Sequence, residues 1–258
     1  MRPLLQVEHL SGGYGRREVV HDVSLTVAAG ELCALLGLNG CGKTTLIKAV
    51  CGLLPAVRGA CLVDGQDTTR LNEKKRAALL SYIPQRLSII TGRSVLDVVL
   101  MGFNPRLGLL ESPGERHRQE AVAALEKLGL AHRAGADFAT LSEGQKQLVI
   151  LARAMVQNAP VMLMDEPDSA LDFVNRGMVL GKVRQLLREQ GRAGLISLHD
   201  PNFAMRFCDR LLLMKDGAVC GQVVLAKATP QEVEEALSAL YGPVRILRHP
   251  GGLVMVEA

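Results

Sequence analysis

No stretch of this 258-residue chain reaches the run of roughly 18 apolar residues that a membrane-crossing helix needs. Its first residues, MRPLLQVEHL, meet Glu8 too early for the apolar core of a secretory signal. A C-x-x-C pair is missing as well. The six cysteines, Cys33, Cys41, Cys51, Cys61, Cys208 and Cys220, stand apart, several inside segments that read as core strand or helix, which fits reduced, buried thiols. Neither sign of charge is in large excess: 30 Lys and Arg face 26 Asp and Glu, and the net +4 is too weak and too dispersed for a nucleic-acid partner. Internal repeats and low-complexity tracts are absent. What is present is 48% hydrophobic residues, enough to bury one large α/β core with a subdomain attached, and this excludes a disordered protein. The expectation is a protein soluble on its own, with any membrane role supplied by a partner.

The segment GLNGCGKTTL, Gly37 to Leu46, packs three glycines, a lysine and two threonines between two apolar runs. Glycines let the backbone take positive φ and let a ligand approach closely. Successive N–H groups curling inward make an anion nest, and a helix starting at Gly42-Lys43 adds its positive end, so the ligand should be a phosphate. The run Gly37, Leu38, Asn39, Gly40, Cys41, Gly42, Lys43, Thr44, Thr45 fits G-x-x-x-x-G-K-S/T, in which the lysine reaches the β- and γ-phosphates and the Thr44 hydroxyl binds Mg²⁺. Leu32 to Leu36 read as the buried strand before this loop, and Leu46, Ala49, Val50 and Leu53 as one face of the helix after it.

Residues 4 to 30 alternate in strand fashion around a SGGYG turn, which predicts an opening antiparallel β-layer, and ACLVDGQD reads as a further short strand. From about Ser94 to Ala154 the period is helical, with Val122, Leu125 and Leu128 on one face. This block is expected to be a helical insertion, spanning about 86 to 150, within an α/β domain of residues 4 to 240. Strand character returns at PVMLMDEP and GLISLHDP, separated by a helix with Val179, Val183, Leu186 and Leu187 on its apolar face. Strands alternating with helices predict a mostly parallel core sheet with ligands at the strand ends. CDRLLLMKDGAVCGQ reads as a hairpin turning at Asp216-Gly217, and residues 241 to 258 as a C-terminal tail.

VMLMDEP sets Asp165 and Glu166 at the end of an apolar strand. Beside a phosphate loop, one such carboxylate can hold Mg²⁺ and the other can orient and deprotonate an attacking water. In LSEGQKQLVILARAM, Ser142 and Gln145 have capping-box spacing, and Leu148, Leu151 and Met155 mark a helix face. With Gly144 beside it, this helix start is a second anion site in a chain with one nucleotide loop.

Here the sequence resembles the ATP-binding cassette (ABC) ATPases, whose L-S-G-G-Q signature precedes the Asp-Glu strand. The resemblance spans about Leu4 to Tyr241 and rests on six motifs in the family's order. It implies a P-loop NTPase fold and ATP with Mg²⁺ as ligands. It implies that Tyr14 stacks on adenine, that Gln85 in YIPQ touches the metal and senses a membrane partner, and that Asp165 is the Mg²⁺-associated aspartate. It further implies that Glu166 is the catalytic glutamate and that His199 is the switch histidine near the γ-phosphate. Ser169 to Asp172 match the D-loop, which crosses between two subunits. Two cassettes then pair head to tail, so that Ser142, Gly144 and Gln145 of one copy close over the ATP on Lys43 of the other.

The sequence departs from the pattern at Glu143, in place of the first signature glycine and expected to point outward, and at Asp168, in place of a common threonine. SVLDVVLMGFNPRLGLL, SALDFVN, HDPNFAMRFCDRLLLMKDG and LYGPV look like the ATPases of iron-siderophore, haem and cobalamin importers. That subgroup implies separate permease subunits, an indirect link to a substrate-binding protein, and a peripheral position at the cytoplasmic face of the cell membrane. A soluble single-cassette ATPase in cofactor assembly, and an importer ATPase for another substrate such as molybdate, remain alternatives.

Overall fold

A computed structural model describes residues 3–54, 56–85, 92–108, 110–169 and 171–258. Strands β1 (Pro3–Tyr14) and β2 (Arg17–Ala28) form an antiparallel pair that turns at Gly15-Arg16. Alternation along β2 buries Val23, Leu25 and Val27, as a one-faced sheet requires. β3 (Leu32–Leu36) is buried at every residue, and the loop after it leads into α1 (Lys43–Val50). β4 (Ala56–Val63) and β5 (Gln66–Asp67) complete a four-stranded layer in the order β2-β1-β4-β5.

α2 (Glu73–Leu79) runs directly into β6 (Leu80–Ile83). The helical block follows: α3 (Val95–Leu100), α4 (Glu115–Lys127) and α5 (Glu143–Gln157), with no strand element among the described residues between 92 and 157. β7 (Val161–Asp165), α6 (Phe173–Gln190), β8 (Ala193–Ser197), α7 (Pro201–Phe207), β9 (Arg210–Lys215) and β10 (Ala218–Val224) finish the core sheet, in the order β10-β9-β3-β8-β7-β6. Its pairings are parallel except for the β9-β10 hairpin, which turns at Asp216 and Gly217, both at positive φ.

The strand period of two divides the core. Leu32, Ala34 and Leu36 of β3 face the layer that holds α5 and α6, while Cys33 and Leu35 face α1 and the antiparallel layer. Because β3, β7 and β8 are buried on both faces they read as apolar runs, interrupted only at Asp165 and Ser197 where β7 and β8 end, and their carboxyl ends open on one edge of the sheet. The expected architecture of antiparallel layer, mostly parallel core and helical insertion is therefore present. No helix among the described residues is long and apolar enough to cross a membrane.

Three local expectations are corrected. α1 ends at Val50, because Gly52 takes φ +70, and this leaves Leu53 59% exposed instead of on the buried face. The SGGY stretch is strand, and the turn begins after it. The C-terminal segment is not a bare tail: α8 (Pro230–Tyr241) leads into an antiparallel hairpin of β11 (Val244–His249) and β12 (Gly252–Glu257).

Candidate nucleotide site

The loop after β3 has no room for a side chain at Gly37, where a Cβ would lie 2.4 Å from the Met214 carbonyl oxygen. Gly40 at φ +81 and Gly42 at φ +106 then coil the backbone through the left-handed region. Gly42 also caps α1, so the first N–H groups of that helix open toward the loop. Lys43 is buried. Its ammonium donates to Gly37 O at 2.7 Å and Leu38 O at 3.3 Å, which holds the charge inside the coil. Leu38, Asn39 and Gly40 form the exposed tip, Cys41 is half-buried, and Thr45 is buried.

Thr44 Oγ1 donates to Asp165 Oδ1 at 3.0 Å, although 121 residues separate them. β3 and β7 are not neighbours in the sheet. β8 lies between them and supplies Ser197, whose hydroxyl donates to the same Asp165 oxygen at 2.9 Å and accepts from the Glu166 N–H at 3.0 Å. Glu166, just past β7, sits at φ +47, a conformation that a non-glycine residue keeps only when its surroundings enforce it. Its side chain is nearly buried, and Oε2 accepts from Gln85 Nε2 and lies 2.7 Å from His199 Nε2. With the coil, Gln85, Glu166 and His199 line a cleft of about 370 Å³.

The sequence reading missed two residues. Ser197 was hidden because its partners lie in another strand. Gln147, buried on α5, donates from Nε2 to the Gln85 carbonyl at 3.2 Å and so ties the helical block to the Gln85 segment.

The remaining expected residues lie outside this cleft. Tyr14 ends β1 and is 49% exposed. Ser142 and Gln145 make the expected capping box at the start of α5, with Gly144 in its first turn. Asp172 caps α6, accepting from the Asn175 N–H at 2.8 Å. Glu143 is exposed and pairs with Lys146 at 2.7 Å. The helical block expected at about 86 to 150 lies partly outside the described residues.

Asp168 is buried, and that burial pushes its carboxyl above the usual range, with Arg176 opposing from 3.9 Å. A native pKa above the unfolded one means that Asp168 loses stability relative to a neutral isostere as pH rises through its native pKa. Asp168→Asn is therefore expected to raise the Tm, by more at pH 8 than below the ordinary aspartate pKa of about 3.9, where Asp168 is protonated in both states. Arg176 keeps its bond to Leu171 O at 3.0 Å in the variant. Differential scanning calorimetry at both pH values measures the gap, and an equal gap would contradict the burial account.

Residues 20–169 match the family model of the ABC transporter. The chain belongs to the ABC transporter family. Relatives of similar length support this ABC assignment. A Helicobacter pylori protein described as an iron chelatin transport ATP-binding protein is 34% identical over 255 residues, 98% of each chain. The hemin import ATP-binding protein HmuV of Pseudomonas fluorescens is 37% identical over 255 residues, 96% of each. The solved inward-facing structure of a metal-chelate type ABC transporter aligns over 98% of this chain and 96% of that one, with TM-score 0.81 and 28% identity. A bacterial ABC transporter cassette solved as a dimer aligns over 86% of this chain and 98% of that one, with TM-score 0.77 and 27% identity. The chain is the ATPase subunit of an ABC importer, coupling ATP hydrolysis to transport. ABC cassettes dimerise and pair with permease subunits in transporter complexes.

Proposed function

We propose that this ABC ATPase drives uptake of a metal chelate of the iron-siderophore, haem or cobalamin type through separate permease subunits, at the cytoplasmic face of the cell membrane. The observation that carries the site reading is the meeting of Gln85, Glu166 and His199 beside the Lys43 coil. The coil's N–H groups and the Lys43 ammonium hold the β- and γ-phosphates of ATP, and Tyr14 offers its exposed ring to the adenine face.

The donor set fits Mg²⁺. Thr44 Oγ1 and Asp165 Oδ1 are hard oxygens 3.0 Å apart, and no cluster of three His, Cys, Asp or Glu among the described residues competes as a self-contained metal cage. Thr44, Asp165 and Gln85 would hold the ion, which when bound neutralises charge on the phosphates. Glu166 orients the attacking water and accepts its proton, and His199 keeps the carboxylate turned toward the cleft. Ser142, Gly144 and Gln145 have no part in their own copy's cleft. In this reading they close over the ATP of a second copy, with Asp172 near the crossing, and a twofold axis makes the two sites equivalent. Residues 4–240 act as the cassette, with the block at about 86–150 facing the permease.

The metal-chelate reading draws on the iron chelatin and hemin relatives and on the metal-chelate transporter structure. The chelate itself is read by the permease and a substrate-binding protein. The test is ATP-dependent uptake in proteoliposomes holding this chain and its co-purified permease. A ferric siderophore, haem or cobalamin should accumulate above the no-ATP control and molybdate should not. Uptake of molybdate alone overturns the substrate class, and a chain that co-purifies with no multi-span protein overturns the importer reading.

A further inference from the structure

His199 has little to hold it from within its own segment. It lies between Leu198, whose N–H reaches Leu35 O at 3.3 Å, and the short helix α7, and its ring is half exposed. The first turn of α7 is fixed from two sides. Asp200 caps it and accepts from the Asn202 N–H at 2.8 Å. The Asn202 side chain then faces away from its own helix and bonds the edge of β12. Its Oδ1 accepts from the Met255 N–H at 2.7 Å, and its Nδ2 donates to the Met255 carbonyl at 3.3 Å. One donor and one acceptor of the carboxamide thus take both backbone groups of a single strand residue, as a neighbouring strand would.

That strand is anchored in turn. Met255 pairs with Ile246 across the hairpin, and the Ile246 N–H donates to Glu234 Oε2 on α8 at 2.8 Å. Val233, Leu237 and Leu240 of α8 and Val244 and Ile246 of β11 are buried in the main core. α8 ends at Tyr241, whose hydroxyl is buried without a hydrogen-bond partner. Burial pushes this phenol up to about 12, with Cys41 and Asp200 pushing the same way and the Gly37 backbone opposing, so the end of α8 lies within electrostatic reach of the phosphate coil and the His199 segment.

We propose that Asn202 is a positioning residue for His199, and that the C-terminal hairpin exists in part to hold the His199 segment at a fixed distance from the phosphate coil. The proposal rests on the reading of His199 given above. Asn202 touches neither nucleotide nor water in this account; it acts through the backbone three residues before it. A loosened His199 loses its 2.7 Å approach to Glu166 Oε2, and displacements near 1 Å at such a site cost up to about 10²-fold.

The experiment measures kcat and KM for ATP with the full chain carrying Asn202→Ala, Asn202→Asp, His199→Ala and the pair His199→Ala with Asn202→Ala. Asn202→Ala should lower kcat about 10-fold or more while KM shifts little. Asn202→Asp keeps the acceptor for the Met255 N–H and should recover part of the rate. In the His199→Ala background, Asn202→Ala should cost nothing further, because coupled residues do not add. Should Asn202→Ala fail to fold, Asn202→Asp carries the comparison in both backgrounds. Parental kcat in folded Asn202→Ala, or the same fractional loss with His199 absent, overturns the positioning role and leaves the site reading standing. Parental kcat in His199→Ala itself removes the premise instead.

Discussion

Lys43→Ala is expected to bind ATP at least about 10²-fold more weakly than the parent chain while keeping its circular dichroism spectrum. The Lys43 ammonium is buried and, among the described residues, bonds only the carbonyls of Gly37 and Leu38, so its work is confined to the coil. Hydrogen bonds from a charged group contribute about 1.5–3 kcal/mol each. Two such bonds to phosphate oxygens come to about 3 kcal/mol or more, and each 1.4 kcal/mol is about tenfold in affinity. Alanine leaves the α1 backbone and the helix face of Leu46, Ile47 and Val50 unaltered, so the fold should survive. Titration calorimetry with ATP, paired with the spectrum, checks both halves. Unchanged affinity in a folded variant would remove the phosphate-loop assignment.

The parts of this molecule that the sequence made legible are those with a local period or a crowded backbone. β3, and β7 and β8 up to their last residues Asp165 and Ser197, are apolar runs because both faces are covered, and the glycine spacing between β3 and α1 has few other uses. Asp165 and Glu166 followed from standing at the end of an apolar strand, whereas His199 came only with the family resemblance. β6 escaped notice: it is four residues long, begins where α2 stops, and contains Ser81 and Tyr82. Ser197 and Gln147 were invisible for a different reason. Their partners, Asp165 and Gln85, lie 32 and 62 residues away, and no local pattern reports a contact made only by the sheet order and the packing of α5. The left-handed backbone of Glu166 is equally a product of tertiary structure. The hairpin at the C-terminus was hidden because Leu253, Val254, Met255 and Val256 of β12 run apolar without alternation, and Leu247 of β11 stands 51% exposed.

Glu166→Gln should lower ATP hydrolysis by about 10²- to 10⁴-fold, the usual contribution of a general base. The amide oxygen of glutamine can still accept from Gln85, which bonds Oε2 in the parent chain, and can keep the close approach of His199, so the local geometry has no reason to change. What glutamine cannot do is take a proton from the attacking water. ATP binding should persist, because Lys43 and the coil N–H groups are untouched. A phosphate-release assay under saturating Mg²⁺-ATP measures the loss, and a near-parental rate would move the base to another residue.

Bound but unconsumed ATP also stabilises whichever assembly binds it best, by linkage. That assembly is the head-to-tail pair in which Ser142 and Gly144 of each copy rest on the nucleotide of the other. The most direct measurement is therefore size-exclusion chromatography with light scattering on Glu166→Gln in Mg²⁺-ATP. The shared site predicts a mass about twice the 27.8 kDa of one chain, and a return to the single-chain mass when Ser142→Arg is added. A Glu166→Gln chain that binds ATP yet stays at the single-chain mass, alone and in complex with its permease, would contradict the shared site.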